Sequence, residues 1–257
     1  MSKLSIQDKF LDLSDYGRLI GTRFANLLKD TRFTPIHVTL LFGVSGLLAL
    51  VFILKQSYFL AAFFIILKSI IDAADGELAR IKHTPSYSGR YLDSIFDIIL
   101  NFLFFMAFYY VTKTSFILTI SSFICLQLQG TLYNYYYVIL RNKSVNGDST
   151  SKIFEYKTPK ALRGESQKSV NILFTIYIIV YGVFDKAIHY LDKDAYKCQK
   201  FPNWFMTMVS IFGLGFQLLI IAIMLSCNLI SFIIPFFIIY SIFIFVLISI
   251  RKLYLAV

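Results

Sequence analysis

The chain has 257 residues, of which 57% are hydrophobic and 16% charged, and its mean hydropathy is +0.68. A soluble domain is nearer half apolar and a quarter charged, so this composition excludes an ordinary water-soluble globule and fits one helical bundle in a membrane. The formal net charge of +10 comes from 25 Lys and Arg against 15 Asp and Glu. In so apolar a chain, that excess reads as loops facing anionic lipid rather than as a nucleic-acid footprint.

Three cysteines, Cys125, Cys198 and Cys227, show neither zinc spacing nor a disulfide framework and read as small hydrophobes. The N-terminus is polar up to the first long apolar run near Ile36, with no cleavable signal peptide visible. Residues 4–30 alternate apolar and charged positions, which predicts an amphipathic helix on the cytoplasmic membrane surface. Residues 1–33 form this juxtamembrane segment and 34–257 the transmembrane domain. Thr34-Pro35 opens the next helix, with proline suited to a first turn. Residues 36–54 are long enough to cross about 30 Å of hydrocarbon. His37, near the interface, reads as a hydrogen-bonding anchor.

The second span runs from 57 to 80 and carries Lys68 inside an apolar run. An intramembrane cation needs a partner. Asp72 lies one turn further on the same face, so Lys68 is expected to neutralise it or to contact an acceptor phosphate. Asp72 and Asp75 share one side of this helix, with the small residues Gly76 and Ala79 on the same stripe. Residues 81–88, with Pro85 and two serines, read as a turn. The third span, 91–112, then folds back with Asp93 and Asp97 on one side, and Asn101 extends their stripe by a turn. Four carboxylates brought together in a low-dielectric setting need cations. Oxygen ligands favour Mg²⁺ or Mn²⁺, as one or two ions. Arg80 adds a fork suited to phosphate. The set describes a site for transferring or cleaving a phosphate ester. The bland alternatives are a structural cluster or a cation pathway.

Asp72, Asp75, Gly76, Ala79, Arg80, Gly89, Asp93 and Asp97 match the pattern D-x2-D-G-x2-A-R-x8-G-x3-D-x3-D at every fixed position. This resembles the signature of the CDP-alcohol phosphotransferase family. The segment Thr34 to Thr39 is similar to the family's Pro-Asn-x-(Ile/Val)-Thr at Pro35, Val38 and Thr39, without its Asn. The resemblance implies a CDP-linked donor, an alcohol acceptor, release of CMP, and a homodimer. It implies that Asp72, Asp75, Asp93 and Asp97 hold two divalent ions, with Asp97 also the general base on the acceptor hydroxyl. Gly76, Ala79 and Gly89 would admit the cytidine, Arg80 would contact the diphosphate, and Thr39 would line the nucleotide pocket.

A fourth span covers 115–140, with Gln127, Gly130, Asn134 and Arg141 roughly along one face. Polar groups there line an acceptor pocket or bond neighbouring helices. The long polar connection 141–168 has a turn at Asn146-Gly147-Asp148 and a basic patch of Lys157, Lys160, Arg163 and Lys168 that suits lipid headgroups. Apolar runs at 169–190, 204–226 and 229–250 follow.

The expected fold is an all-α polytopic membrane protein. It is a bundle of six to seven transmembrane helices preceded by the amphipathic N-terminal surface helix. Basic residues place the N-terminus, the 81–90 turn and the 141–168 loop in the cytoplasm, near the active site. Strict alternation of seven spans then puts Arg251-Lys252 on the other side, against that rule, unless one C-terminal run bends or re-enters. The expected function is phosphatidyl transfer from CDP-diacylglycerol to a small polar alcohol. Alternatives are a CDP-choline or CDP-ethanolamine enzyme with diacylglycerol as acceptor, and a cation transporter using the four aspartates.

Overall fold

The computed structural model describes residues 4, 8–143, 155, 157–198 and 200–255. The Asn146-Gly147-Asp148 turn lies outside the described residues. Among the described residues the fold is entirely helical.

The N-terminal amphipathic element is shorter than its sequence pattern. After a 3₁₀ turn at Leu13–Asp15, α1 covers only Arg18–Leu28. It docks on the bundle through Gly21 and Ala25, while Leu19, Ile20 and Leu27 stay exposed. A side chain at Gly21 would meet the backbone of Ile70 and Ala74 at about 3 Å, so glycine sets the close approach to α3 (Tyr58–Ile81). Lys82 closes the other end of the contact, donating to the carbonyls of Thr31 at 2.8 Å and Phe33 at 2.6 Å.

α2 (Pro35–Leu54) starts from a reciprocal cap. The Thr34 hydroxyl receives the His37 amide, and His37 Nδ1 receives the Thr34 amide at 3.0 Å. Histidine thus fills the place that Glu or Gln holds in the usual capping box. α2, α3 and α4 (Tyr87–Thr112) pack side by side, joined by the short turns 55–57 and 82–86. Gly43 and Gly46 of α2 face Phe96 and Leu100 of α4, so that pair of small residues serves packing inside one chain.

α5 (Phe116–Lys143) returns antiparallel to α4. α6 (Gln167–Leu191) follows the polar connection. α7 (Asn203–Val209) continues through a 3₁₀ turn at Ser210–Phe212 into α8 (Leu214–Ser226), with a bend of 51° at Gly213. Side chains at Gly213 or Gly215 would collide with Ser14, so the bend is also where the N-terminal segment seats. α9 (Ile230–Tyr240) and α10 (Ile242–Tyr254) form one nearly continuous rod.

By length and composition, α2, α4, α5, α6 and the α9–α10 rod suffice to cross a membrane, and the bent α7–α8 pair makes six. α3 is as long, 24 residues or about 36 Å. It also carries Lys68, Asp72 and Asp75, and Lys68 and Asp75 are buried inside the bundle.

The end of the chain bears on the conflict between strict alternation and the basic-residue rule. Lys143 at the end of α5 bonds the Cys198 carbonyl, and the Cys198 thiol reaches the Leu255 carbonyl at 3.1 Å. Arg251 forms a buried pair with Asp192, which also accepts from the Tyr136 hydroxyl at 2.7 Å. Arg251 and Lys252 therefore sit at the same end of the bundle as the close of α5. The cause is α6, whose two ends both attach at that end: its start to the first turn of α4, its close to Tyr135 and Tyr136 of α5.

Candidate active site

The aspartates are positioned by how α3 ends and α4 begins. Ser86 caps α4 by accepting the Gly89 amide at 2.8 Å. Glu165 then clamps the same turn, accepting from the Ser86 hydroxyl (2.8 Å), the Ser88 amide (2.7 Å) and the Tyr87 amide (3.2 Å). A carboxylate over exposed helix N–H groups is favoured by both hydrogen bonding and the helix dipole. One turn on, Glu155 pairs with Arg90 and accepts from the Tyr91 hydroxyl at 2.6 Å. Two acids of the polar connection thus fix the face of α4 that carries Asp93 and Asp97. Sequence reasoning missed both, because a cap offered from some 77 residues away leaves no periodic signal.

Asp72 and Asp75 of α3 and Asp93 of α4 each offer a carboxylate oxygen within 4.8 Å of the others. Oxygens bound to one small divalent ion lie at most about 4.2 Å apart, so slight side-chain rotation closes the set. Asp93 Oδ1 is buried without a hydrogen-bond partner. A buried oxygen left bare is expensive unless something is to be bound there. The all-oxygen donor set and that bare atom fit a hard divalent cation.

Asp97 stands apart from this trio. Its Oδ1 is engaged by Lys68, whose side chain is wholly buried and whose Nζ is also 3.7 Å from Asp72 and 4.9 Å above the Phe42 ring. Lys68 thus meets two carboxylates, and the tighter contact crosses to α4 instead of staying on α3. The Asp72 side chain is 24% exposed, whereas Asp75 and Asp97 are buried, so the site opens beside Asp72.

The remaining predicted residues fall into two groups. Thr39 is within the site but committed to a carboxylate: its hydroxyl donates to Asp75 Oδ2 at 2.7 Å. Arg80 pairs with Glu77 at 2.8 Å, and its guanidinium lies over Gly76, about 3.5 Å from where a β-carbon would stand. Glu77 is buried and also lies 3.7 Å from Arg18, a link the motif did not predict. Ala79 is half-buried, and Gly89 spends its amide on the α4 cap. Asn101 is buried one turn beyond Asp97.

The α5 residues sit elsewhere. Asn134 is exposed and lines a small pocket with Tyr135, Glu155, Tyr177 and Asp185. Arg141 is buried beside Tyr137 at the end of α5. Nearer the middle of α5, Gln129 bonds the Phe237 carbonyl at 3.0 Å and Ser241 at 2.8 Å, and Gln217 bonds Gln129 at 3.1 Å. These amides hold helices together.

No match to the chain is found among curated proteins. A family model, that of CDP-alcohol phosphatidyltransferase, matches residues 32–225. That stretch runs from the turn before α2 to the close of α8 and takes in both helices that carry the aspartates. With most of its length matched and an aspartate trio at the motif's positions, the chain belongs to the CDP-alcohol phosphatidyltransferase family.

Proposed function

We propose that this protein transfers a phosphatidyl group from CDP-diacylglycerol to a small polar alcohol and releases CMP. The observation that carries the reading is the convergence of Asp72, Asp75 and Asp93 across two helices, with Asp97 held beside them by Lys68. Asp72, Asp75 and Asp93 would hold the divalent ion, Mg²⁺ or Mn²⁺. A bound ion would supply positive charge to the donor diphosphate.

The chain's own groups do the rest. Thr39 fixes the rotamer of Asp75. Lys68 holds Asp97 by one oxygen, and the other makes no hydrogen bond to a described residue. That free oxygen accepts the proton of the acceptor hydroxyl as its oxygen bonds to phosphorus and the bond to CMP breaks. Arg80, over the bare face of Gly76, can turn from Glu77 to the diphosphate. The wholly buried Phe42, whose ring lies 4.9 Å from Lys68 Nζ, keeps water from that side of the Lys68–Asp97 pair and so strengthens it.

The end of the bundle nearest the site carries Lys82, Lys157, Lys160, Arg163, Lys168 and Lys252, which supports a cytoplasmic location for it. The test is an assay of the purified protein against CDP-linked donors and small alcohols, with Mg²⁺ or Mn²⁺ and lipid products read by mass. CMP together with a new phosphatidyl alcohol is the expected product pair. Phosphocholine or phosphoethanolamine transfer onto diacylglycerol would reverse the donor assignment. Cation flux without CMP release would replace the enzyme by a transporter.

A further inference from the structure

α6 is 25 residues long and apolar enough to cross a bilayer, yet its attachments do not let it. Its N-terminal end is tied to the first turn of α4, where Glu165 receives the Ser88 amide. Its next turns lean on Tyr91, with ring centroids 5.7 Å from Phe174 and 5.2 Å from Tyr177. The Tyr181 hydroxyl donates to the Ser94 carbonyl at 2.9 Å. Its far end meets Tyr135 and Tyr136 of α5, and Asp192 just beyond it pairs with Arg251 near the close of α10. The first turn of α4 and the last turns of α5 lie at one end of an antiparallel pair whose connecting turn, 113–115, is at the other. A helix about 37 Å long with both ends at the same face lies along that face.

The sides of α6 agree with that placement. At about 100° per residue, Val170, Phe174, Tyr177, Tyr181, Asp185 and Ile188 form an inward stripe. Ile172, Ile176, Ile179 and Val183 form an exposed apolar stripe. Between them runs a third stripe in which Lys168, Asn171, Thr175, Gly182 and Lys186 are polar or small, interrupted midway by Ile178 and Ile179. A crossing helix would hold Asn171, Thr175 and Lys186 against hydrocarbon. A helix seated at the boundary puts them in water, and puts the isoleucine stripe among acyl chains.

We propose that α6 is an in-plane interfacial helix, docked on the phospholipid headgroup boundary of the leaflet nearest the aspartates. It does not cross the bilayer. The described residues then cross six times, through α2, α3, α4, α5, α7–α8 and α9–α10, and α1 and the close of α10 lie on one side. This also removes the conflict between Arg251-Lys252 and the positive-inside rule. The proposal is independent of the chemistry assigned to the site.

Two readouts on the full-length protein in lipid vesicles test it. Cys227, exposed at the α8–α9 turn, serves as the native marker of the far face. Lys168→Cys and Lys193→Cys, at the two ends of α6, are predicted to react with a membrane-impermeant maleimide from one side and Cys227 from the other. Reaction of residues 168 and 193 from opposite sides overturns the proposal. Spin labels at Ile172→Cys, Ile179→Cys and Val183→Cys, all exposed positions, are expected at nearly equal membrane depth. A steady change of about 1.5 Å per residue along them, as in a crossing helix, overturns it as well.

Discussion

Lys68 of α3 and Asp97 of α4 form an ion pair between the two helices that carry the aspartates, and the lysine side chain is wholly buried. Breaking a buried pair by removing one partner leaves an uncompensated charge and costs about 3–5 kcal/mol. Lys68→Met is therefore expected to lower thermal stability in detergent strongly. The double variant Lys68→Met/Asp97→Asn should recover much of that stability, because both charges are gone, without recovering turnover. A double-mutant cycle of unfolding and turnover separates the two effects, and additive losses of stability would contradict the pairing.

Asp97→Asn alone addresses chemistry. The amide keeps the shape of the carboxylate but cannot take a proton. Binding of the CDP-linked donor is predicted to persist while transfer falls by about 10²–10⁴-fold, the usual worth of a general base. Equilibrium binding of the donor and single-turnover rates check this. Normal turnover by the purified variant would remove Asp97 from the proton path.

The motif made the site legible because its spacing sets both helix faces: Asp72 and Asp75 lie three apart, Asp93 and Asp97 four apart, and Pro85 and Gly89 mark the turn between them. The apolar runs made the long helices legible for a similar reason, since one run fills one rod. What stayed hidden depends on contacts distant in sequence. Hydropathy counts α6 as a span, because its isoleucines score alike whether they face acyl chains edge-on or end-to-end. The clamps by Glu155 and Glu165 on α4, and the Thr39 bond to Asp75, join residues 36 to 79 positions apart that no local pattern connects. Asp192, outside any motif, anchors Arg251 for the same reason.

Thr39→Val tests how the trio is held. The hydroxyl donates to Asp75 Oδ2 at 2.7 Å, and removing such an outer partner typically lowers metal affinity by about 10–100-fold. Titration of the detergent-solubilised protein with Mn²⁺, followed by electron paramagnetic resonance, should show this loss with the helical content unchanged. Unaltered Mn²⁺ affinity would mean that Asp75 needs no such support.

Glu165 gives a pH dependence outside the membrane. Burial pushes its carboxyl up, but hydrogen bonds from the Ser88 amide, the Ser86 hydroxyl and the Leu162 and Tyr87 amides outweigh it and hold the group below the usual glutamate value. A folded-state pKa below the unfolded one stabilises above about pH 4.5, and that stability is lost as pH falls through the folded value. Glu165→Gln is thus expected to lower the melting temperature near neutral pH, and the gap from the parent protein should close on acidification below about pH 4. A gap that stays constant from pH 7 to pH 3 would show that the carboxylate charge plays no part in the clamp.

The pair between Asp192 and Arg251 is the last anchor of the far end of α6. Both side chains are nearly inaccessible, Arg251 Nε donates to Asp192 Oδ2 at 2.8 Å, and the Tyr136 hydroxyl donates to the same oxygen at 2.7 Å. Asp192→Ala strands a buried guanidinium and a tyrosine hydroxyl at once, so its loss of stability should reach about 3–5 kcal/mol. Arg251→Leu/Asp192→Leu, which removes both charges and keeps volume, should come much closer to the parent. The single variant should also raise proteolysis between residues 191 and 203, where the connection from α6 to α7 would come loose. The double variant, with apolar packing restored, should be cut no faster than the parent. Equal melting temperatures for the parent and Asp192→Ala would show that the pair contributes nothing to holding α6 in place.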